Sequence, residues 1–114
     1  MNDDVIDALT GVLEQRRDAD PASSYVASLY ADGIDRILKK VAEEAGEVLL
    51  AAKNAKPAAR DDALIGEVAD LWFHTLVLLV HLNQRPQWVL QELQRRFGVS
   101  GHTEKASRTA SQND

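Results

Sequence analysis

Apolar side chains recur at intervals of three and four residues along most of the chain, and this spacing predicts α-helices. The clearest stripe covers about residues 34–54 and consists of Ile34, Ile37, Leu38, Val41, Ala42, Ala45, Val48, Leu49 and Ala52. Other amphipathic helices are predicted over about residues 3–17 and, with Ser23 or Ser24 as N-cap and Gly33 after the end, over about residues 25–31. No alternation of polar and apolar residues is long enough to indicate a strand, so the pattern predicts an all-α fold.

The next predicted helix, over about residues 58–82, is apolar on almost every side after Leu71. A helix without a polar face has to be surrounded, so we expect it to be central in a bundle and at a subunit interface. Its longest nearly unbroken apolar stretch is the twelve residues 71–82, which is too short to cross a bilayer. A last helix is predicted to begin at Pro86 and to end at Gly98.

Length and composition restrict the class of protein. A chain of 114 residues predicts a single domain, which we assign to residues 1–108, with a disordered tail over residues 109–114. The net charge of −5 argues against binding to a nucleic-acid backbone. The absence of cysteine excludes disulfides, thiolate metal sites and cysteine nucleophiles. The N-terminus lacks the basic and apolar regions of a signal peptide, so we expect a cytoplasmic location without a membrane partner.

Two glutamates on the predicted helix 34–54 are placed where they can act together. On a helical wheel, Glu44 lies about 90° from the centre of the apolar stripe, at the border of the buried face. Glu47 lies about 60° further round on the same side, whereas Glu43 points almost directly outward and is the weaker ligand candidate. Lys40 lies one turn before Glu44 on the same edge.

A matching polar line crosses the apolar helix that follows. Glu67, Asp70, His74 and His81 lie close to one line, at spacings of three, four and seven residues. Ionised groups on an otherwise buried helix need partners, because an unpaired buried carboxylate is very costly. A divalent cation suits several carboxylates at once. The alternative is that these acids are only a solvated surface, since each pair by itself is a common pattern.

Gly46 and Gly66 each lie inside a predicted helix and immediately precede an acid of the cluster, Glu47 and Glu67. Glycine inside a helix costs about 1 kcal/mol relative to alanine, so both positions need a reason. One explanation is that the missing side chains let the two helices approach until their acids meet. An unrelated packing contact is the other.

Carboxylates on two rigid helices suit magnesium chemistry on phosphates. Mg²⁺ takes oxygen ligands and keeps several waters, so the cluster would hold one or two ions and leave positions for phosphate oxygens. The metal would neutralise phosphate charge and lower the pKa of a bound water for attack on phosphorus. Glu47 or Glu44 would accept the proton of that water as general base.

The acidic pattern, Glu43-Glu44-x-x-Glu47 and then Glu67-x-x-Asp70, resembles the signature of the all-α nucleoside triphosphate pyrophosphohydrolases, which include MazG-like proteins and dimeric dUTPases. The flanking sequence is closer to one family among them, the phosphoribosyl-ATP pyrophosphatases of histidine biosynthesis. This resemblance spans approximately residues 3–108 and is carried by Gly33 and by segments 23–25, 37–41, 51–53, 67–79 and 100–108. Ala42 stands where relatives often have glycine, a change that we do not expect to affect the metal site.

The resemblance implies hydrolysis of 1-(5-phosphoribosyl)-ATP to 1-(5-phosphoribosyl)-AMP and pyrophosphate, the second step of histidine biosynthesis, with Mg²⁺ as cofactor. It implies a four-helix-bundle-like fold whose helices are shared across a homodimer or a dimer-based oligomer. It carries metal binding over to Glu44, Glu47, Glu67 and Asp70, with Glu43 as a weaker match.

Basic residues around the acids are candidates for binding substrate phosphates, namely Lys40, Lys39, Arg36, Lys53, Lys105 and Arg108. Lys40 can equally form an intrahelical pair with Glu43 or Glu44. Arg95 and Arg96 would join Lys105 and Arg108 in a phosphate-holding flap, or belong to an exposed helix end.

Aromatic and histidine side chains have structural alternatives as well. His74 would orient the Asp70 carboxylate by a hydrogen bond, or be a satisfied core histidine, which we favour. His81 is predicted to be structural or interfacial. Trp72, Phe73 and Trp88 are predicted to be core or interface residues rather than platforms for base stacking.

Three rival functions remain open from the sequence. The nearest keeps the fold and the chemistry but acts on a deoxynucleoside or noncanonical triphosphate. A di-iron carboxylate bundle is disfavoured, because no histidine lies three residues after Glu44 or Glu67. The third is a dimerisation module without catalytic activity.

Overall fold

The computed structural model of the chain describes residues 2–56 and 59–98. It contains five α-helices in chain order: α1 (Asn2–Gln15), α2 (Tyr25–Asp32), α3 (Ile34–Asn54), α4 (Asp62–His81) and α5 (Pro86–Phe97). A 3-10 turn at Arg16–Asp18 follows α1. The described part of the chain contains no strand, so the prediction of an all-α fold is confirmed. Because this turn follows α1, the predicted helix 3–17 is shorter than expected at its C-terminal end.

Local capping explains where α2 and α3 begin and end. The Ser24 side chain accepts a hydrogen bond from the Ala27 N–H at 3.1 Å, so Ser24 is the N-cap of α2. Gly33 has a φ of 95°, a conformation that favours glycine, and it separates α2 from α3. The predicted bounds of α3 are confirmed.

The start of α4 was predicted four residues too early. Helix α4 begins at Asp62 because Asp61, in an extended conformation, accepts a hydrogen bond from the Leu64 N–H at 2.9 Å. This side-chain cap was not considered in the prediction from apolar spacing. Helix α3 ends at Asn54, where Ala55 turns extended; the proposed terminator Pro57 lies outside the described residues.

The core lies where α1, α2, α3 and α4 meet. Its fully buried side chains are Leu13, Leu29, Ile37, Val77 and Val80. Helices α3 and α4 make the most extensive helix–helix contact of the chain, as expected of neighbours joined by a short connection. They therefore form a hairpin that brings the acids of the two helices together.

Large apolar side chains of α4 and α5 remain exposed in the single chain. Trp72 is 63% exposed and Trp88 is 49% exposed, so neither is a core residue, whereas Phe73 packs against the core. Only 17% of the most apolar 18-residue stretch of α4 is buried. The expectation that other helices surround α4 is therefore not met within one chain.

Helix α4 is long and apolar enough to cross a membrane by length and composition, although its unbroken apolar stretch is shorter. The core helix of a soluble protein satisfies the same criterion. Glu67 and Asp70 lie towards the middle of α4, and a charged side chain at the centre of a bilayer is costly.

Candidate metal and phosphate site

Three carboxylates converge on the α3–α4 hairpin. Glu44 from α3 and Glu67 and Asp70 from α4 each offer an oxygen, and these three oxygens lie within 4.8 Å of one another. Glu44 and Glu67 are partly buried and Asp70 is exposed. The structure thus brings together three of the four acids that were predicted to bind metal.

Glu47, the fourth predicted ligand, lies one turn after Glu44 and is exposed. It is outside the three-oxygen group, yet its charge contributes to raising the pKa of Glu67. Glu43 has a side chain that is 46% exposed, against 13% for Glu44, which agrees with the helical wheel. Glu47 therefore borders the cluster, and Glu43 points away from it.

The pKa of the Glu67 carboxyl shows how strongly the charges of the cluster act on one another. Partial burial raises its pKa first, and the charges of Glu47, Asp70 and Glu44 raise it further. Repulsion among these carboxylates is relieved when a cation lies between them. The cluster is therefore arranged for binding positive charge.

The donor set fits magnesium. All three groups supply hard carboxylate oxygens, which are the ligands that Mg²⁺ prefers. Two oxygens on one Mg²⁺ lie at most about 4.2 Å apart, twice the usual metal–oxygen distance. Small side-chain rotations would therefore bring oxygens that already lie within 4.8 Å onto a single ion.

Lys40 and Arg36 lie on the edge of α3 that leads to the acids. Lys40 Nζ is 3.2 Å from Glu43 Oε1 and 3.6 Å from Glu44 Oε2, so the predicted intrahelical pairs are present. The hydrogen bond with Glu43 is the main cause that raises the pKa of Lys40. Arg36 donates to the Asp32 carboxylate at 2.5 Å. Binding of phosphate by either cation stays a prediction.

The other predicted phosphate ligands are less close to the cluster or are not described. Lys39 and Lys53 are both exposed, and Lys53 is in the last turn of α3. Nine residues of helix place Lys53 about 13 Å along the axis from Glu44. Lys105 and Arg108 lie outside the described residues. The proposed flap is therefore not described by the structure.

Arg95 and Arg96 are engaged on their own helix. Both donate to the Glu92 carboxylate, Arg95 through two nitrogens at 3.0 and 2.6 Å and Arg96 at 2.9 Å. These hydrogen bonds lower the pKa of Glu92 to about 2. This arrangement agrees with the alternative of an exposed helix end.

The explanation given for the two helical glycines is wrong for this chain. A Cβ atom built on Gly46 or Gly66 would meet nothing within 4 Å among the described residues. The absence of a side chain at these positions is therefore not what permits α3 and α4 to approach.

His74 is a satisfied core histidine, the reading that the sequence favoured. Its side chain is 6% exposed, and its Nδ1 contacts the Asp70 main-chain oxygen at 2.8 Å rather than the Asp70 carboxylate. Its Nε2 lies 2.8 Å from the Tyr25 hydroxyl. Tyr25 was not singled out as a site residue, because the apolar pattern does not show that α2 reaches α4. His81 stacks on the Tyr30 ring and is structural, as predicted.

The acidic hairpin and its flanking cations lie in a part of the chain that matches a known protein family. The family model of phosphoribosyl-ATP pyrophosphohydrolase matches residues 6–97, which include all the acids of the cluster. The chain belongs to this family. Phosphoribosyl-ATP pyrophosphohydrolases are metal-dependent hydrolases of histidine biosynthesis, so the suspected resemblance is confirmed. Residues after 97, including the late segment 100–108, lie beyond the matched range.

Replacing Glu67 by glutamine should stabilise the metal-free protein. Because the folded state raises the pKa of Glu67 above 4.5, its ionised form opposes folding at neutral pH. We expect Glu67→Gln to raise Tm at pH 7. This gain should shrink as the pH falls towards 4.5 and disappear well below it, because Glu67 then becomes protonated in the folded and the unfolded states. Thermal unfolding in a chelator, at one protein concentration, measures the difference.

Glu43→Gln is the matched control, because Glu43 is exposed and pairs with Lys40 instead of facing the cluster. It should give no comparable gain in Tm. A Tm of Glu67→Gln at pH 7 equal to or below that of the wild type would contradict the charge crowding described here.

Proposed function

We propose that the chain hydrolyses 1-(5-phosphoribosyl)-ATP to 1-(5-phosphoribosyl)-AMP and pyrophosphate, the second step of histidine biosynthesis, with Mg²⁺ as cofactor. The observation that carries this proposal is the convergence of three carboxylate oxygens within 4.8 Å on a chain of this family. The family supports the activity, and the acidic hairpin supports a hard divalent cation as its metal.

Glu44, Glu67 and Asp70 are the proposed ligands of Mg²⁺. When bound, Mg²⁺ would neutralise polyphosphate charge and lower the pKa of a coordinated water. The three carboxylates lie on two packed helices, so they hold their positions without the reorganisation that a loop would need. Neighbouring negative charges repel the ionised Glu67 carboxylate in the metal-free protein. A bound cation would relieve this repulsion, so the repulsion favours cation binding.

Glu47 is the proposed general base. It is exposed and lies outside the three-oxygen group, yet it is near enough to influence Glu67. A carboxylate in that position would take the proton of the attacking water while the other acids hold the metal. Glu44 is the alternative base if Glu47 completes the metal coordination instead.

Lys40 and Arg36 are the proposed contacts for the polyphosphate. Lys40 pairs with Glu44 on its own helix, and Arg36 pairs with Asp32 on α2. An incoming phosphate would replace a carboxylate as the anionic partner of each cation. Lys39, Lys53, Lys105 and Arg108 are further candidates on the sequence resemblance. We propose a cytoplasmic location, without nucleic-acid or membrane partners.

The activity is tested by incubating purified protein with Mg²⁺ and a panel of phosphoribosyl-ATP, dUTP and other nucleoside triphosphates. Pyrophosphate release from phosphoribosyl-ATP is expected. Glu47→Gln should lower kcat by at least about 100-fold, because general base catalysis contributes about 10²–10⁴-fold. Its fold should be unchanged, since Glu47 is exposed.

Glu43→Gln is the matched control, one turn away on the outer face, and should keep kcat within about 2-fold, far less than the loss of a general base. Release of pyrophosphate from dUTP but not from phosphoribosyl-ATP would contradict the proposed substrate. Undiminished turnover by Glu47→Gln would contradict the proposed base.

We also propose that two copies of the chain form a homodimer through the exposed apolar side of α4 and α5. An apolar groove of about 380 Å³ lies there, lined by Leu71, Trp72, Leu76, Val89, Leu90 and Leu93, among others. The radius of gyration is 16.8 Å, whereas a compact domain of this length has about 13 Å. A single chain therefore leaves apolar surface that a second copy would cover.

Trp72→Arg should convert the dimer into a monomer, because it places a charge in the proposed interface. Leu82→Arg is the control, since Leu82 is similarly exposed but does not line the groove. Sedimentation velocity measures both variants beside the wild type. A monomeric wild type, or an unchanged dimer in Trp72→Arg, would contradict the interface.

A further inference from the structure

Two tyrosine–histidine pairs join α2 to α4. Tyr25 and His74 are hydrogen-bonded at 2.8 Å, next to the turn that carries Asp70. Tyr30 stacks on His81, with ring centroids 5.8 Å apart, and its hydroxyl donates to the Leu13 carbonyl at 2.9 Å. The second pair lies in the last turn of α4, away from the acids. Of the two pairs, only Tyr25–His74 contacts the acidic site.

The contacts of His74 determine the direction of its hydrogen bonds. A main-chain oxygen can only accept, so Nδ1 donates its proton to the Asp70 carbonyl. In the neutral ring Nε2 then carries no proton, and the Tyr25 hydroxyl donates to it. His74 is 6% exposed, so its ring lies in the protein interior with both of these partners. Tyr25 thereby fixes the ring that is bonded to the Asp70 turn.

Tyr25 also contacts one cation of α3. The Arg36 guanidinium lies 5.7 Å from the centroid of the Tyr25 ring, and the His74 ring meets that ring edge-on. Tyr25 therefore lies between His74 of α4 and Arg36 of α3.

We propose that Tyr25 is a positioning residue of the acidic site: through His74 it holds the α4 turn that carries Asp70 in register with Arg36 of α3. The inference rests on the proposed function, because the site is the one assigned there. Tyr25 takes no part in the chemistry; it sets the position of Asp70, a proposed metal ligand, relative to Arg36, a proposed phosphate contact.

A purely structural hydrogen bond would lower stability and leave the site intact, and Tyr30 allows this alternative to be measured. Like Tyr25→Phe, Tyr30→Phe removes a tyrosine hydroxyl from α2 and breaks one hydrogen bond. Tyr25→Phe and Tyr30→Phe are therefore compared in the full chain for Tm, kcat and KM with phosphoribosyl-ATP, and Mg²⁺ affinity by calorimetry. The imidazole ¹⁵N signals of the metal-free proteins report the protonation of His74 directly.

Tyr25→Phe should lower kcat and Mg²⁺ affinity by about 10-fold, the lower end of what removing a partner behind a metal ligand costs. The His74 signals should show Nδ1 protonated in the wild type, with Nε2 losing its hydrogen-bond shift in Tyr25→Phe only. Tyr30→Phe should keep kcat and Mg²⁺ affinity within about 2-fold of the wild type, a much smaller change than the loss expected when a positioning residue is removed.

The inference is overturned if the wild type turns over phosphoribosyl-ATP but Tyr25→Phe matches it in kcat and Mg²⁺ affinity. It is equally overturned if both variants lose activity in proportion to their loss of Tm. If the wild type binds Mg²⁺ without hydrolysing phosphoribosyl-ATP, the proposed function fails alone, and the comparison of Mg²⁺ affinities still decides the role of Tyr25.

Discussion

Repulsion among carboxylates on the α3–α4 hairpin determines the electrostatics of the candidate site. Glu44, Glu67 and Asp70 offer oxygens within 4.8 Å of one another, and the charge of Glu47 reaches the same group. Such crowding opposes folding unless a cation is bound, and it persists because the packing of two long helices holds the acids in place. Binding of a cation, as proposed for this site, would recover the free energy that the repulsion costs the metal-free protein.

The short helix α2 contacts both the apolar core and the acidic part of the hairpin. Leu29 contributes to the core, while Tyr25, at the other end of the same helix, reaches the buried His74 beside Asp70. Ser24 and Gly33 fix the two ends of α2, so the position of Tyr25 follows from local capping. One helix therefore serves the stability of the fold and the geometry of the site.

Much of the fold could be predicted from the sequence, because apolar spacing and capping residues act locally. The bounds of α3 and the start of α5 at Pro86 are examples. The start of α4 was misjudged because the Asp61 side chain, rather than apolar spacing, sets it. The helical wheel separated Glu44 from Glu43 correctly, but one helix cannot reveal a contact from another. The Tyr25–His74 bond joins residues 49 positions apart, so periodicity could not indicate it.

Calorimetric titration of the metal-free wild type with Mg²⁺ tests whether the acidic hairpin is a metal site, because it requires neither substrate nor an assumed reaction. We predict saturable binding that weakens as pH falls, since protons compete for a carboxyl whose pKa the folded state has raised. Asp70→Asn should weaken the same binding. Folded wild-type protein that shows no saturable uptake of Mg²⁺ at neutral pH would contradict a magnesium site on the α3–α4 hairpin.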